Sequence, residues 1–118
     1  MSHVAKIDVK MTDAKAMQAA CLRIGANFCG KGFVKFYDES EYGGYVINLP
    51  GWQYNICVQA DGTVAYDNYE GEWGDIRMLN QLRQYYAAEV AKQEAAQQGY
   101  SFQEEELQTG VLKVTIEI

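Results

Sequence analysis

Two segments of the chain carry apolar residues at the spacing of an amphipathic helix, in which residues three and four apart share one face. In the first segment these residues are Met17, Ala20, Cys21 and Ile24. The segment follows Thr12 and Asp13, whose side-chain oxygens can accept hydrogen bonds from the free N–H groups of a first helical turn. Gly25 is the expected stop. The pattern predicts a helix that buries Cys21 as a packing residue.

A second, longer helix is predicted from Ile76 to about Gln98. Its apolar stripe consists of Ile76, Leu79, Leu82, Tyr86 and Val90, widened by Met78 and Tyr85. Asp75 is placed to cap its start and Gly99 to end it. The last turns, 91–98, are rich in alanine and glutamine, so we expect them to extend past the core.

Alternation of apolar and polar positions predicts seven strands, because successive side chains of a strand point to opposite faces. The segments are 4–11, 33–37, 45–49, 52–58, 64–66, 100–107 and 111–118. A glycine-rich bend at Gly30 and Gly32 is expected before the second strand, and Asp61–Gly62 predicts a tight hairpin.

The last two strands are predicted to form a second hairpin around Thr109–Gly110. In the final strand four apolar residues alternate with polar ones and are expected to face the core. They are Leu112, Val114, Ile116 and Ile118.

The predicted element order is β-α-β-β-β-β-α-β-β. Strands joined by short turns pair antiparallel, and two amphipathic helices must cover an apolar sheet face. A length of 118 residues fits one domain. We therefore predict a single α+β domain over residues 1–118, with a largely antiparallel sheet and two amphipathic helices packed on it.

The segment from Phe36 to Ile76 contains no lysine or arginine, although it is rich in acids and aromatic rings. Its carboxylates are Asp38, Glu39, Glu41, Asp61, Asp67, Glu70, Glu72 and Asp75. Its rings are Phe36, Tyr37, Tyr42, Tyr45, Trp52, Tyr54, Tyr66, Tyr69 and Trp73. Such a stretch has a field of one sign and offers the flat, amphipathic area that proteins use to bind one another. We predict Trp52 and Tyr54 in the core, and Tyr42 and Tyr69 exposed.

Composition excludes several classes of function. The formal charge of −6 argues against direct binding of nucleic acid, which depends on neutralising phosphates with lysine and arginine. No apolar run reaches the length of a membrane span, and the N-terminus lacks the pattern of a signal peptide. The cysteines share no CxxC spacing, which favours free thiols in a reducing cytoplasm. No cofactor is expected.

A zinc site of three cysteines and one histidine is the alternative for the cysteines. Its ligands would be Cys21, Cys29, Cys57 and His3. Zinc sites usually contain a closely spaced ligand pair, and none is present here, so we predict no metal.

Several motifs resemble a known family. The chain begins Met1-Ser2-His3 into a strand, and its hairpin continues into Tyr66-Asp67. The long helix contains Tyr85-Tyr86 and ends in Gln98-Gly99-Tyr100, and the last turn holds Gly110. This layout resembles the hypothetical chloroplast reading frame thirty-five family, small proteins of plastids, cyanobacteria, other bacteria and phages. The resemblance covers nearly the whole chain apart from the segment 29–50. It implies the fold and a cytosolic protein, and it supplies no catalytic residue.

The loop from Asp67 to Asp75 is the first candidate site, because four carboxylates in nine residues suggest a hard cation such as calcium. The EF-hand pattern fails here, since Tyr69, Gly71 and Glu72 stand at its third, fifth and sixth places. We predict instead that Asp75 caps the helix and that Trp73 anchors the loop on the sheet.

The sequence gives little support to a catalytic function. Glu70 and Glu72 could form an acid and base pair, but carboxylates on a short loop are usually solvated. Cys29 beside Lys31 is the best candidate for a reactive thiol. His3 is the one histidine, and no phosphate-binding glycine loop is present. We therefore do not predict an enzyme.

The sequence favours a non-enzymatic protein-binding or accessory module that uses an acidic, aromatic-rich surface. The predicted interface residues are Tyr42, Tyr45, Tyr69, Glu70, Glu72 and Trp73. The expected partner is a protein with a basic or apolar surface, or a second copy of the chain. The alternative is an acidic decoy, of a phage type, that imitates nucleic acid and inhibits a nucleic-acid-binding enzyme. A small enzyme of unknown reaction is the third hypothesis.

Overall fold

A five-stranded sheet, two helices and a separate two-stranded sheet make up the fold. The computed structural model describes residues 5–7, 10–107 and 112–118. In chain order the elements are β1 (Ala5–Ile7), α1 (Ala14–Ile24), β2 (Asn27–Lys35), β3 (Glu41–Asn48), β4 (Ile56–Val58), β5 (Val64–Tyr66), a 3₁₀ turn (Tyr69–Gly71), α2 (Ile76–Gln97), β6 (Ser101–Glu106) and β7 (Leu112–Glu117).

The larger sheet has the strand order β1-β5-β4-β3-β2, and each neighbouring pair is antiparallel. Strands β6 and β7 pair with each other in the second sheet. The prediction of an α+β domain with a mostly antiparallel sheet, two helices and this order of elements is confirmed. No helix in the described part of the chain is long and apolar enough to cross a membrane.

Both helices start and stop where the sequence predicts. The Asp13 carboxylate accepts hydrogen bonds from the backbone N–H groups of Lys15 (3.0 Å) and Ala16 (3.2 Å). Gly25 ends α1 in a left-handed conformation, with φ of 74°, which costs a glycine little because it has no Cβ. Asp75 caps α2 through the N–H of Arg77 at 2.9 Å.

The main core lies between one face of the larger sheet and the two helices. Its fully buried members include Met11, Met17, Cys21, Ile47, Leu49, Ile56, Val58, Val64, Leu79 and Leu82. The Tyr86 hydroxyl joins the helices, because it accepts hydrogen bonds from the N–H groups of Thr12 and Asp13, both at 3.0 Å.

The opposite face of the sheet carries a second, smaller core. Its buried residues are Val34, Phe36, Val46, Cys57 and Ala65, with Tyr42 and Tyr54 packed against them. Alternation places Cys57 on this face and its neighbours Ile56 and Val58 on the helix face. The central strand β4 is therefore buried on both sides.

Several predicted features of the sheet are wrong in extent. The strands predicted over 33–37 and 45–49 span Asn27–Lys35 and Glu41–Asn48. The expected bend at Gly30 and Gly32 is part of β2, which absorbs the irregularity as a bulge between Phe28 and Gly30. The predicted strand 52–58 is a strand only over Ile56–Val58. Its first half turns away from the ladder, because the N–H of Gln53 donates to the carbonyl of Trp73 at 2.8 Å.

The prediction that the last strand faces the core is wrong. Val114, Ile116 and Ile118 are 37%, 43% and 99% exposed, because the hairpin β6–β7 lies along α2 and not on the larger sheet. The N–H of Leu112 donates to the Gln84 side chain at 2.8 Å. Val90 is the last α2 residue that packs on the main core, so the turns 91–98 extend past that core, as predicted. The hairpin covers them at Ala95, which is 2% exposed.

Some predictions fall outside the described residues. They concern the Met1-Ser2-His3 start, the positions Val4 and Val9 of the predicted strand 4–11, and the turn at Thr109–Gly110.

Candidate functional site

Six aromatic rings are in mutual contact on the sheet face that the helices leave free. We call five of them the aromatic surface: Tyr37, Tyr42, Tyr54, Tyr69 and Trp73. Phe36 lies beneath them, 3% exposed. Its ring centroid is 5.5 Å from that of Tyr42 and 6.3 Å from that of Tyr54. The contacts continue from Tyr54 to Trp73 over 5.4 Å.

Trp73 is the centre of this surface. Its ring lies 5.4 Å from Tyr37 and stacks on Tyr69 at 4.7 Å, with 25° between the ring planes. Tyr37 is the most open member, at 62% exposure, while Tyr69 and Trp73 are half-buried. The surface therefore has a buried support and an accessible edge.

The core residue Trp52 holds the loop that carries Trp73. Its indole N–H donates to the carbonyl of Asp75 at 3.1 Å, and its ring packs directly on Gly74. A Cβ at Gly74 would lie 2.3 Å from a Trp52 ring carbon. This distance is too short for any side chain, so the position requires glycine. Trp52 was predicted in the core, and its 6% exposure confirms this. Trp73 contacts Gln53 and Tyr54, so the loop packs on the segment that leads into β4.

The loop reaches this position through a tight 3₁₀ turn. The carbonyl of Asn68 accepts hydrogen bonds from the N–H groups of Gly71 (3.0 Å) and Trp73 (2.9 Å). Tyr69 and Glu70 adopt left-handed backbone conformations, with φ of 45° and 53°. Such conformations cost roughly 1–3 kcal/mol each for residues other than glycine and are common at functional sites. The stacking of Tyr69 on Trp73 offsets part of this strain.

The turn between β2 and β3 brings acids to the same place. The Asp38 carboxylate accepts hydrogen bonds from the N–H (2.9 Å) and hydroxyl (2.5 Å) of Ser40. These bonds lower the pKa of Asp38, so it carries its charge at neutral pH. Glu39 follows with a left-handed φ of 69°, and its N–H donates to the carbonyl of Phe36 at 2.9 Å.

The contact between Tyr37 and Trp73 joins two acidic segments. Asp38 and Glu39 follow Tyr37 directly, and Glu72 precedes Trp73. We call four exposed carboxylates the acidic rim: Asp38, Glu39, Glu70 and Glu72. Asp75 does not belong to it, because the Arg77 guanidinium binds its carboxylate at 2.8 Å and lowers its pKa.

Asp67 is a buried carboxylate at the start of the loop. It is 0% exposed, and neither carboxyl oxygen has a hydrogen-bond partner among the residues that the structure describes. Buried polar groups are normally hydrogen-bonded, because their desolvation otherwise costs free energy. The burial of Asp67 is therefore not compensated by a hydrogen bond within the described residues.

The structure brings some predicted interface residues together and separates one of them. Tyr42, Tyr69 and Trp73 belong to the aromatic surface, and Glu70 and Glu72 to its rim. Tyr45 does not, because it lies on the helix face of the sheet, 5.4 Å from the Phe28 ring and 5.9 Å from the Lys31 ammonium. The sequence predicts that Tyr42 and Tyr69 are exposed and that Tyr54 lies in the core. All three are half-buried, so these predictions are wrong in degree.

The sequence pattern does not place Tyr37 in the predicted interface. Its position after the apolar strand and before an acidic segment is the signal that indicates it, because such a residue lies in the exposed turn of a hairpin. Tyr54 was assigned to the core. It packs instead on the second core, next to Trp73.

The three cysteines are free thiols, and they lie in different parts of the structure. Cys21 lies in the main core and Cys57 in the second core, on opposite faces of the sheet. Burial raises the pKa of Cys21 to about 11 and also raises that of Cys57. Cys29 is exposed. Over the described ranges, no three His, Cys, Asp or Glu residues form a group that could hold a metal ion, and His3 lies outside those ranges.

Comparison with known proteins identifies no relative of this chain. No family model matches it, and no curated protein or solved structure matches it at a significant level. The resemblance to the plastid-encoded family stays a prediction, so the function must be argued from the geometry of the aromatic surface and its acidic rim.

Proposed function

We propose that this protein is a non-enzymatic binding module, and that its aromatic surface takes a basic segment of a protein partner. The observation that carries the proposal is the contact of exposed Tyr37 with Trp73, with acidic residues next to both rings in the sequence. Tyrosine and tryptophan are the residue types that most often dominate binding energy at protein interfaces.

The chemistry of the rings favours cationic side chains. Arginine and lysine stack on the faces of tyrosine and tryptophan, with a gain of roughly 0.5–2 kcal/mol for each contact. Tyr37 and Tyr69 flank Trp73, so a guanidinium could stack there while its hydrogen bonds go to Glu72 or Asp38. Bidentate pairing of arginine with carboxylates adds geometric specificity.

The distribution of charge points the same way. The segment 36–76 has eight carboxylates and no lysine or arginine of its own. A second copy of the chain is a poor occupant of this surface. A symmetric contact places the same patch on both subunits, which would set one acidic rim against the other.

The acidic decoy is less well supported than the binding module. A decoy needs carboxylates in one row that imitates a phosphate backbone. The exposed carboxylates instead lie on several elements: the β2–β3 turn, the loop before α2, α2 itself and both strands of the hairpin. A decoy would compete with nucleic acid for an enzyme and would not need Tyr37.

The test is calorimetric titration with a short synthetic peptide of alternating arginine and leucine, at low and high salt. We expect Tyr37→Ala to weaken binding roughly tenfold or more, the scale of an interface hot spot. We expect a similar loss for the double substitution Glu70→Gln with Glu72→Gln.

The matched control is Glu105→Gln with Glu106→Gln, which removes two exposed carboxylates from β6 and gives the same net charge. Equal losses for the rim and control variants, with Tyr37→Ala unchanged, would mean that the peptide binds by net charge alone. That result would overturn the proposal.

A further inference from the structure

Strand β7 has an open edge and an apolar side. Among the strands that the structure describes, β7 pairs with β6 alone. A strand edge of this kind presents unpaired N–H and C=O groups and can pair with another strand. The hairpin gains stability from its packing on α2, and a strand added at the open edge would widen its sheet.

The apolar residues of β7 are not covered by the rest of the chain. Val114 and Ile116 are 37% and 43% exposed, and Ile118 is 99% exposed. Ile116 and Ile118 line, with Ala95 and Tyr100, a shallow groove of about 220 Å³ at the C-terminal end of α2. Together they form an apolar strip beside the open edge.

We propose that β7 of a second copy pairs antiparallel with this edge, about a two-fold axis at Thr115. In that register Lys113 lies opposite Glu117 of the second copy. Val114 lies opposite Ile116 of the second copy, and Leu112 lies opposite Ile118 of the second copy. The four strands would form one antiparallel sheet with the order β6-β7-β7-β6.

The sequence of β7 makes a second copy the fitting occupant. Opposite charges and β-branched pairs facing each other across strands are stabilising, and like charges are destabilising. The Thr115 register pairs Lys113 with Glu117 twice, once on each side of the axis. A register centred on Val114 sets Lys113 against Thr115, and one centred on Ile116 sets Glu117 against Thr115, so neither forms the ion pair.

Other edges of the structure are less suited to symmetric pairing. The open edge of β6 carries three consecutive glutamates, Glu104–Glu106, and two such strands would place like charges close together. The outer strand β2 has a bulge between Phe28 and Gly30, and bulged edges resist pairing. The dimer contact is also distinct from the aromatic surface. The contact lies on β7, whereas the aromatic surface includes the loop that precedes α2 in the sequence.

The test is sedimentation velocity of the full chain over a range of micromolar concentrations. We expect a reversible monomer–dimer equilibrium for the wild type. Glu117→Lys should raise the dimer dissociation constant roughly tenfold or more, because it creates two like-charge pairs. Lys113→Glu should do the same. Lys31→Glu, the same change on β2, is the matched control and should leave the equilibrium unchanged.

The decisive step is to mix the Glu117→Lys and Lys113→Glu proteins. An opposite-charge pair then forms at both positions, so the mixture should dimerise more tightly than either variant alone. The double variant Lys113→Glu with Glu117→Lys exchanges both charges in one chain and should restore dimerisation in the same way. A monomeric wild type, or a dimer that Glu117→Lys does not weaken, would overturn the proposal, as would failure of both the mixture and the double variant to dimerise.

Discussion

The ring of Tyr37 lies 5.4 Å from the ring of Trp73, and this contact links the β2–β3 turn to the loop that precedes α2. Each segment contributes carboxylates to the acidic rim. The contact thus brings two acidic segments that are separate in the sequence together in one surface around Tyr37 and Trp73.

The first prediction separates the binding role of the surface from its structural role. Tyr37→Ala should leave the melting temperature close to that of the wild type, because the ring is 62% exposed. Phe36→Ala, one position earlier, should cost about 3–5 kcal/mol of unfolding free energy, because that ring is 3% exposed. Chemical denaturation of the two variants is the measurement. A large loss of stability in Tyr37→Ala would show that the residue supports the fold and is not available to a partner.

The second prediction concerns the support of the loop. Gly74→Ala should displace the loop, since the new Cβ would lie 2.3 Å from the Trp52 ring. We expect a loss of stability of about 1–3 kcal/mol, typical of overpacking, and a change in tryptophan fluorescence as Trp52 and Trp73 move. Gly32→Ala is the control for steric contact, because Gly32 is not left-handed and a Cβ there would meet no atom nearer than 3.4 Å. An unchanged fluorescence spectrum in Gly74→Ala would contradict the described packing.

The third prediction concerns Asp67. Asp67→Asn replaces a buried carboxyl, which has no hydrogen-bond partner among the described residues, by an amide that cannot ionise, so the free energy of unfolding should rise at neutral pH. Thermal denaturation measures the change in stability. A fall in stability on Asp67→Asn would indicate that the carboxylate has a stabilising partner after all.

The fourth prediction concerns pH and the attachment of the hairpin. The Arg23 guanidinium donates to Glu104 of β6 and to Glu89 of α2 at 3.3 Å, and its hydrogen bond lowers the pKa of Glu104. The unfolded chain therefore binds a proton at Glu104 more readily than the folded chain. The contribution to stability is complete above the ordinary glutamate pKa of about 4.3, and it is lost as pH falls through the depressed folded pKa.

Glu104→Gln should lower the free energy of unfolding at neutral pH by up to about 1 kcal/mol, the scale of a partly exposed ion pair. The difference from wild type should vanish in strong acid. Urea denaturation across the acidic range measures it, with Glu106→Gln in the same strand as the control. A difference that persists at low pH would assign the effect to packing and not to the ion pair.

The sequence predicts the secondary structure well where local chemistry decides it. Asp13 and Gly25 delimit α1, and Asp75 caps α2, because capping depends on neighbouring backbone groups alone. Alternation in β7 correctly indicates a strand with one apolar side. It does not indicate what that side packs on, and the strand lies on α2 with its apolar side partly open.

The site itself could be predicted only in part. The lack of lysine and arginine over residues 36–76 identified the acidic loop, and Trp73 and Tyr69 were assigned to it. The separation of Tyr45 from Tyr42 follows from the register of β3 with its neighbours, because these two positions face opposite sides of the sheet. The approach of Tyr37 to Trp73 depends on left-handed conformations at Glu39, Tyr69 and Glu70, which composition does not specify.

NMR chemical-shift mapping of the isotope-labelled protein, titrated with the arginine-leucine peptide, tests whether the aromatic surface binds the peptide. We predict saturable shifts centred on Tyr37, Asp38 and the segment 69–73, with little change at Glu105 and Glu106. Shifts spread evenly over all exposed carboxylates, or confined to the hairpin β6–β7, would contradict this prediction.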